Sequence, residues 1–108
     1  MKIEIADKWI AALRSGEYQQ TVGRLYDGRG YCCLGVLCKI LGEKFRQSYD
    51  GQWSINGARS VLSPDIKNRA GMNTIDGCYN GGALVIDNDD GKTFKEIADI
   101  IDKHRYEL

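Results

Sequence analysis

The chain has 108 residues, of which 43% are hydrophobic and 28% are charged; this is the composition of a globular protein, neither disordered nor membrane-embedded. A chain of this length can close one core that buries about 65% of its unfolded surface, and it has too little material for a second. The fifteen basic and fifteen acidic residues cancel, which argues against non-specific binding of duplex nucleic acid. We therefore expect a single domain over residues 1–108.

The N-terminal segment Met1–Lys8 alternates apolar and charged residues and lacks the unbroken apolar stretch of a secretory signal. The longest nearly apolar run is Tyr31–Leu37, far shorter than the roughly 20 residues that a membrane span requires. These patterns predict a cytoplasmic protein that has no membrane partner.

The first third of the chain predicts a helix followed by a hairpin. An amphipathic helix over residues 3–14 has apolar side chains at three- and four-residue steps, which form one stripe: Ile5, Trp9, Ala12 and Leu13. Residues 18–26 are rich in side chains that favour strands, and Asp27–Gly30 is a turn signal. We expect a short hairpin here that returns at Tyr31 and Cys32.

The middle of the chain predicts a buried helix and a second hairpin. Residues 33–41 are apolar on all sides, which is typical of a helix buried from several directions, and Gly42 is placed to end it. We expect this central helix to be the element on which the others pack. Beyond it, residues 45–49, a turn at Asp50 and Gly51, and residues 53–55 predict the second hairpin.

The last third predicts two helices with a loop between them. Ser63 is a helix cap, Pro64 suits the first helical position, and Gly71 follows the end. Residues 72–82 are rich in glycine and asparagine and predict a loop, whereas residues 83–86 fit either a strand or a helix. Thr93 begins a capping box before the last amphipathic helix, whose buried stripe is Phe94, Ile97, Ala98 and Ile101. The predicted fold class is α+β.

Four cysteines raise the question of metal or thiol chemistry. Cys32, Cys33 and Cys38 lie within seven residues, Cys78 lies far from them, and His104 is the only histidine. This spacing differs from that of zinc ligands, and a thiolate nucleophile normally needs a histidine partner. We predict no metal and no cofactor and interpret the cysteines as small reduced hydrophobes, with metal binding and redox or nucleophilic chemistry as alternatives.

A cluster of arginine, glutamine and tyrosine between residues 14 and 31 favours a ligand site. Arginine binds phosphate bidentately, tyrosine stacks on bases, and glutamine hydrogen-bonds base edges. The acidic turn at residues 87–91, which leads into the last helix, is interpreted either as favourable charge at the helix N-terminus or as a polar loop facing a ligand. The candidate ligand-binding residues are Arg14, Tyr18, Gln20, Arg24 and Tyr31, with Asn88 and Asp89 closing the pocket. The alternative is a polar hairpin surface whose tyrosines cover the core edge.

Stretches spread over most of the chain resemble, in order, a group of small phage and prophage hypothetical proteins. They are Trp9–Gln20, Tyr31–Cys38, Leu62–Ile66, Ala70–Met72, Asn88–Asp89 and Gly91–Ala98, and the double-cysteine stretch is the most distinctive. The resemblance carries over no catalytic residue. It implies an accessory protein that acts stoichiometrically on host systems, by capping an enzyme or by sequestering a nucleotide immune signal.

These observations lead us to expect a non-catalytic phage-type protein that sequesters a nucleotide-derived immune signal in the host cytoplasm and so antagonises anti-phage defence. The first alternative is a protein–protein inhibitor of a host defence enzyme, with Tyr49, Trp53 and Tyr79 as its hot spot. The second is a small enzyme that cleaves a nucleotide signal. Exposed hairpin edges would also suit a homodimer or higher oligomer.

Overall fold

Three helices enclose the core: α1 (Ile3–Arg14), α2 (Cys33–Ile40) and α5 (Phe94–His104), with α1 packed against both of the others. The computed structural model describes residues 1–108 and confirms the α+β class. Its remaining elements are α3 (Pro64–Ala70), α4 (Leu84–Asp89) and the strands β1 (Arg46–Gln47), β2 (Trp53–Ser54), β3 (Cys78–Tyr79) and β4 (Gly82–Ala83). Strands β1 and β2 form one antiparallel sheet, and β3 and β4 form another.

Helix α1 begins and ends where the sequence predicts, and α5 begins where predicted, directly after Thr93. Trp9 of α1 is fully buried, and its indole N–H donates to the carbonyl oxygen of Cys33 over 2.8 Å. Thr93 and Glu96 form the expected capping box at the start of α5, and the predicted stripe of α5 is buried throughout. These two helices therefore bury one face each, as amphipathic helices do.

Helix α2 is buried as predicted, with residues 33–38 all inside the protein. It packs against α1 and α4, whereas α5 packs mainly on α1, so the expectation that the other elements all pack on α2 is met only in part. Gly35 sits where α2 meets the chain at Leu25. A Cβ atom on Gly35 would lie 1.9 Å from the carbonyl oxygen of Leu25, so only glycine allows this approach. The helix ends as expected before Gly42, whose φ of +81° is left-handed.

Helix α3 and the β1–β2 hairpin also follow the prediction. Ser63 accepts a hydrogen bond from the amide of Ile66, and Gly71 ends α3 with a φ of +71°. The hairpin is shorter than expected, with only two residue pairs, Arg46 with Ser54 and Gln47 with Trp53. Side chains alternate between the faces of a strand, so Phe45 and Trp53 share one face while Arg46 and Ser54 share the other.

The predicted hairpin over residues 18–32 is wrong as a strand pair. Only isolated bridges form, from Tyr31 to Gln20 and to Tyr26, although the turn is present because the Asp27 carboxylate accepts from the amides of Arg29 and Gly30. Gly23, at a φ of +76°, bends the segment. Backbone groups between residues 21 and 23 bond to side chains of α4 and are therefore not available to a strand partner.

Two further expectations are corrected between residues 72 and 91. The segment 72–82 is not all loop, because it contains β3 and the first residue of β4. Residues 83–86 are both strand and helix, since Ala83 ends β4 and Leu84 begins α4. The expected acidic turn is partly helical, because α4 extends through Asp89 and lets Asn88 point into the core at 0% exposure. None of the five helices combines the length and the apolarity needed to cross a membrane.

Candidate functional site

The main candidate site is a surface cleft of about 300 Å³, which we call the aromatic cleft. It lies between the β1–β2 hairpin, the end of α2 and the segment before α2, and its lining residues are Tyr26, Tyr31, Lys39, Glu43, Lys44, Phe45 and Trp53. All four aromatic side chains are half-buried. They therefore present ring surface to solvent while remaining anchored on the core.

Tyr26 is the centre of this aromatic group. Its ring stacks on that of Tyr31 with centroids 4.7 Å apart, and it lies 5.0 Å from the rings of both Phe45 and Trp53. Tyr18 adds an edge contact to Tyr31 at 5.5 Å. Aromatic pairs of this kind each contribute about 0.5–1.5 kcal/mol beyond burial, so the cleft wall is held in place before any ligand arrives.

Local structure explains how distant parts of the chain meet here. The alternation of the β1–β2 hairpin places Phe45 and Trp53 on one face, and Tyr31 directly precedes α2. The turn after Tyr26 is closed by Asp27, and the two backbone amides that donate to this carboxylate lower its pKa. Burial raises the pKa of the Tyr31 hydroxyl above its ordinary value.

The rim of the aromatic cleft is basic. Lys39 and Lys44 line it, and neither has a carboxylate within ion-pair distance. The one acid in the lining, Glu43, is paired with Arg69 of α3. The aromatic surface is thus bordered by positive charge that the chain does not neutralise, although the chain as a whole has no net charge.

Two grooves adjoin the aromatic cleft. One, of about 460 Å³, has no apolar lining residue and shares Glu43 and Lys44 with the cleft; we call it the polar groove. The other, of about 190 Å³, shares Tyr26 and Trp53 with the cleft and adds Arg24. The two grooves and the cleft therefore follow one another around the β1–β2 hairpin.

A second polar cluster, the Asn88 clasp, consists of Asn88 with Gln20, Thr21, Cys33 and Asp89. The Asn88 side-chain oxygen accepts from Gln20 Nε2 at 2.9 Å and from the amide of Cys33 at 3.1 Å. Its Nδ2 donates to the carbonyl of Thr21 at 2.8 Å and to Asp89 at 3.4 Å. An asparagine side chain offers two donors and two acceptor sites, so all four are used inside the protein.

The structure separates the sequence-predicted site residues into three places. Tyr18, Arg24 and Tyr31 lie at the aromatic cleft or its neighbouring groove. Gln20, Asn88 and Asp89 meet in the clasp, where a ligand would have to break existing bonds to reach Asn88. Arg14 stands apart from both, in an exposed ion pair with Asp99 at 2.7 Å.

Sequence reasoning missed Phe45, Lys39 and Lys44 as site residues and placed Trp53 only in the alternative hot spot. A signal for two of them was present, because alternation on either side of the Asp50–Gly51 turn puts Phe45 and Trp53 on one face of the hairpin. The other two residues of that hot spot, Tyr49 and Tyr79, differ in their surroundings. Tyr49 is fully exposed, whereas the Tyr79 hydroxyl donates to Asp87 at 2.5 Å.

Three of the four cysteines are interior, as expected, and the fourth is not. Burial raises the pKa of Cys32 to about 11 and that of Cys38 to about 12, and it raises the pKa of Cys33 strongly. Cys78 is exposed on β3, so the interpretation of the cysteines as packed hydrophobes does not extend to it. Nowhere do three His, Cys, Asp or Glu side chains converge as metal ligands do.

Comparison with known proteins gives one finding. Residues 1–105 match a protein-family model described as a domain of unknown function, DUF8296. No curated protein and no solved structure matches the chain.

Proposed function

Because the chain belongs to the DUF8296 family, whose description names no activity, we propose a function from the chain's own contacts: it binds a nucleotide-type small molecule in the aromatic cleft and leaves it chemically unchanged. The observation that carries this proposal is the packing of four half-buried aromatic rings around a cleft of about 300 Å³ with two unpaired lysines at its rim. A volume of this size is at the lower end of small-ligand sites.

Stacking supplies the first part of the affinity. A base that lies on an aromatic side chain gains about 1–3 kcal/mol, whichever base it is. Trp53 and Tyr26 are the two rings that line both the aromatic cleft and the neighbouring groove. The base therefore sits against these two rings.

Charge supplies the second part. A phosphate beside the base falls among Lys39 and Lys44, which have no carboxylate partner to displace. Hydrogen bonds to an ionised phosphate are about twice as strong as neutral ones. The lysines therefore favour a phosphorylated ligand over a free nucleoside.

The contacts of the reactive side chains support binding without turnover. The buried thiols have raised pKa values and stay protonated near neutral pH. His104 lies against the ring of Tyr79 and next to Glu107, and it lines neither the aromatic cleft nor the two adjoining grooves. The biological role that fits, given the resemblance to small phage proteins, is to sequester a nucleotide immune signal in the host cytoplasm and so blunt anti-phage defence.

Isothermal titration calorimetry tests the proposal with a panel of mononucleotides, cyclic dinucleotides and ADP-ribose derivatives. We expect at least one to bind, and we expect Trp53→Ala to weaken it about 10- to 100-fold because a stacking surface is lost. Tyr49→Ala is the matched control, since this fully exposed aromatic lies on the same hairpin outside the cleft, and it leaves the affinity unchanged. The proposal is refuted if no ligand of the panel binds, or if Trp53→Ala and Tyr49→Ala change the affinity equally.

Chromatography of the ligand after incubation separates binding from catalysis. We expect the ligand to be recovered intact, at one molecule per binding site. Conversion of the ligand would refute the non-catalytic part and favour the small-enzyme alternative. Native mass spectrometry of the same sample gives the number of subunits and any retained ligand together.

One observation favours the second candidate, inhibition of a host defence protein. Tyr49 is fully exposed at the tip of the β1–β2 hairpin, where an aromatic anchor of a protein interface would lie. In a pull-down, a protein partner lost by Tyr49→Ala and kept by Trp53→Ala supports this candidate. The reverse pattern supports a site in the aromatic cleft.

A further inference from the structure

We propose that the polar groove is a phosphate subsite, so that the ligand carries a chain of at least two phosphates; the inference rests on the proposed function. It narrows the ligand class to nucleoside diphosphates, triphosphates and other nucleotides with a diphosphate link. Cyclic dinucleotides, whose phosphates are separated by sugars, fit less well.

The lining of the groove has the chemistry of an anion site. Its volume is about 460 Å³, larger than that of the aromatic cleft, and all its lining residues are polar or glycine: Gly42, Glu43, Lys44, Arg46, Ser54, Asn56 and Gly57. Arginine, lysine, a hydroxyl and an amide are the donors that proteins use for phosphate. A groove without apolar lining offers little to a base or an aliphatic group.

The charges of the groove are not compensated within the chain. Lys44 and Arg46 have no carboxylate within ion-pair distance. Glu43, the only acid in the lining, pairs with Arg69, which also donates to the carbonyl of Leu41 at 3.1 Å. The carboxylate is therefore held by α3, and the groove presents two positive charges to a ligand.

The hairpin explains how one ligand can occupy both places. Arg46 and Ser54 are cross-strand partners, and they lie on the hairpin face opposite to Trp53. Glu43 and Lys44 precede β1 and line both the aromatic cleft and the groove. With the base on Trp53, a first phosphate reaches Lys44, and only a longer phosphate chain continues to Arg46.

Calorimetry with nucleosides and their mono-, di- and triphosphates tests this inference, with adenine and guanine series as the probes. We expect the second phosphate to tighten binding about 10-fold, because it gains a charge-assisted hydrogen bond to Arg46. We expect Arg46→Gln to remove that gain while leaving the monophosphate affinity unchanged. Arg29→Gln, an exposed arginine in the turn at residues 27–30 and outside all three surface depressions, is the control and keeps the gain.

The outcomes distinguish failure of the inference from failure of the proposed function. The phosphate subsite is overturned if mono- and diphosphates bind with equal affinity, or if the diphosphate still binds more tightly in Arg46→Gln. Neither result contradicts ligand binding in the aromatic cleft. Absence of binding throughout both series and the wider panel overturns both. Unchanged thermal unfolding of Arg46→Gln shows that the variant is folded, as expected for an exposed residue.

Discussion

The polar side chain at the centre of the Asn88 clasp is fully hydrogen-bonded within the protein, whereas the basic side chains of the polar groove have no ion-pair partner. In the clasp, the donors and acceptors of Asn88 are all used, by Gln20 and Thr21 of one segment, by Cys33 of another, and by Asp89 of the same helix. In the groove, Lys44 and Arg46 line open space without a carboxylate partner. Burial accounts for the difference, because an unpaired polar group costs free energy in the interior and almost none at the surface.

Only the polar residues that the fold leaves without partners are available to a ligand. A residue such as Asn88 looks like a ligand contact in the sequence, but its hydrogen bonds already join α4 to α2 and to the segment around Thr21. Arg46 looks unremarkable in the sequence, yet its charge remains available. Three variants, each with a control, test how strongly the interior depends on such contacts.

Asn88→Ala removes the centre of the clasp. It leaves the amide of Cys33 and the carbonyl of Thr21 without their partner, at about 1–3 kcal/mol each, so we expect the free energy of unfolding to fall by about 4 kcal/mol. Urea unfolding followed by circular dichroism measures this. Asn68→Ala, on the exposed face of α3, is the control, and a similar loss in both variants would contradict the assigned role of Asn88.

Gly35→Ala tests close packing in the interior against open space at the groove. The new Cβ would overlap the carbonyl oxygen of Leu25, and we expect a loss of about 3 kcal/mol, as for other overpacked cores. Gly57→Ala in the groove meets no atom within 4 Å and costs only the strain of its left-handed φ, about 1 kcal/mol. Equal midpoints in thermal unfolding would show that α2 can move away from Leu25.

The buried thiols predict a loss of stability in alkali. Because burial raises the pKa of Cys32 from 9.0 to about 11, the unfolded chain releases this proton at a lower pH than the folded protein does. The stabilisation is complete below pH 9 and is lost as the pH rises towards 11, at about 1.4 kcal/mol per pH unit for one thiol.

Urea titrations between pH 8 and pH 10.5 measure this slope. Cys32→Ala should make the slope shallower by the share of one thiol, because Cys33 and Cys38 remain buried with raised pKa values. Cys78→Ser should change the slope less, since Cys78 is exposed and only its bond to Asp76 and slight burial raise its pKa. An identical slope in wild type and Cys32→Ala would mean that water reaches the thiol in the folded protein.

Much of the fold is predictable from the sequence because it follows from local signals. The capping box at Thr93, the Ser63–Pro64 start of α3 and the apolar stripes of α1 and α5 depend on residues within a turn of one another. The hairpin expected over residues 18–32 fails for the opposite reason. Asn88 and Asp89, more than sixty residues away, bond the backbone that a strand partner would have needed.

The candidate site is less predictable because it is assembled from distant segments. The sequence predicts Tyr31 and Arg24 as site residues because both lie in the stretch that is rich in arginine, glutamine and tyrosine. Phe45 joins them only when the β1–β2 hairpin folds back onto the segment before α2, and the sequence predicts the hairpin without predicting where it docks. Asn88 was misleading because its residue type suits a ligand contact and an internal clasp equally well.

The placement of the two tryptophans gives the protein an intrinsic pair of optical probes. Trp9 is sealed in the core with its indole N–H bonded to Cys33, so its emission changes only when the chain unfolds. Trp53 borders the aromatic cleft, where an aqueous quencher reaches it and a bound base excludes that quencher. In the unlabelled protein, Trp53 fluorescence therefore reports ligand binding in the aromatic cleft. Trp9 fluorescence reports unfolding when denaturant is added afterwards.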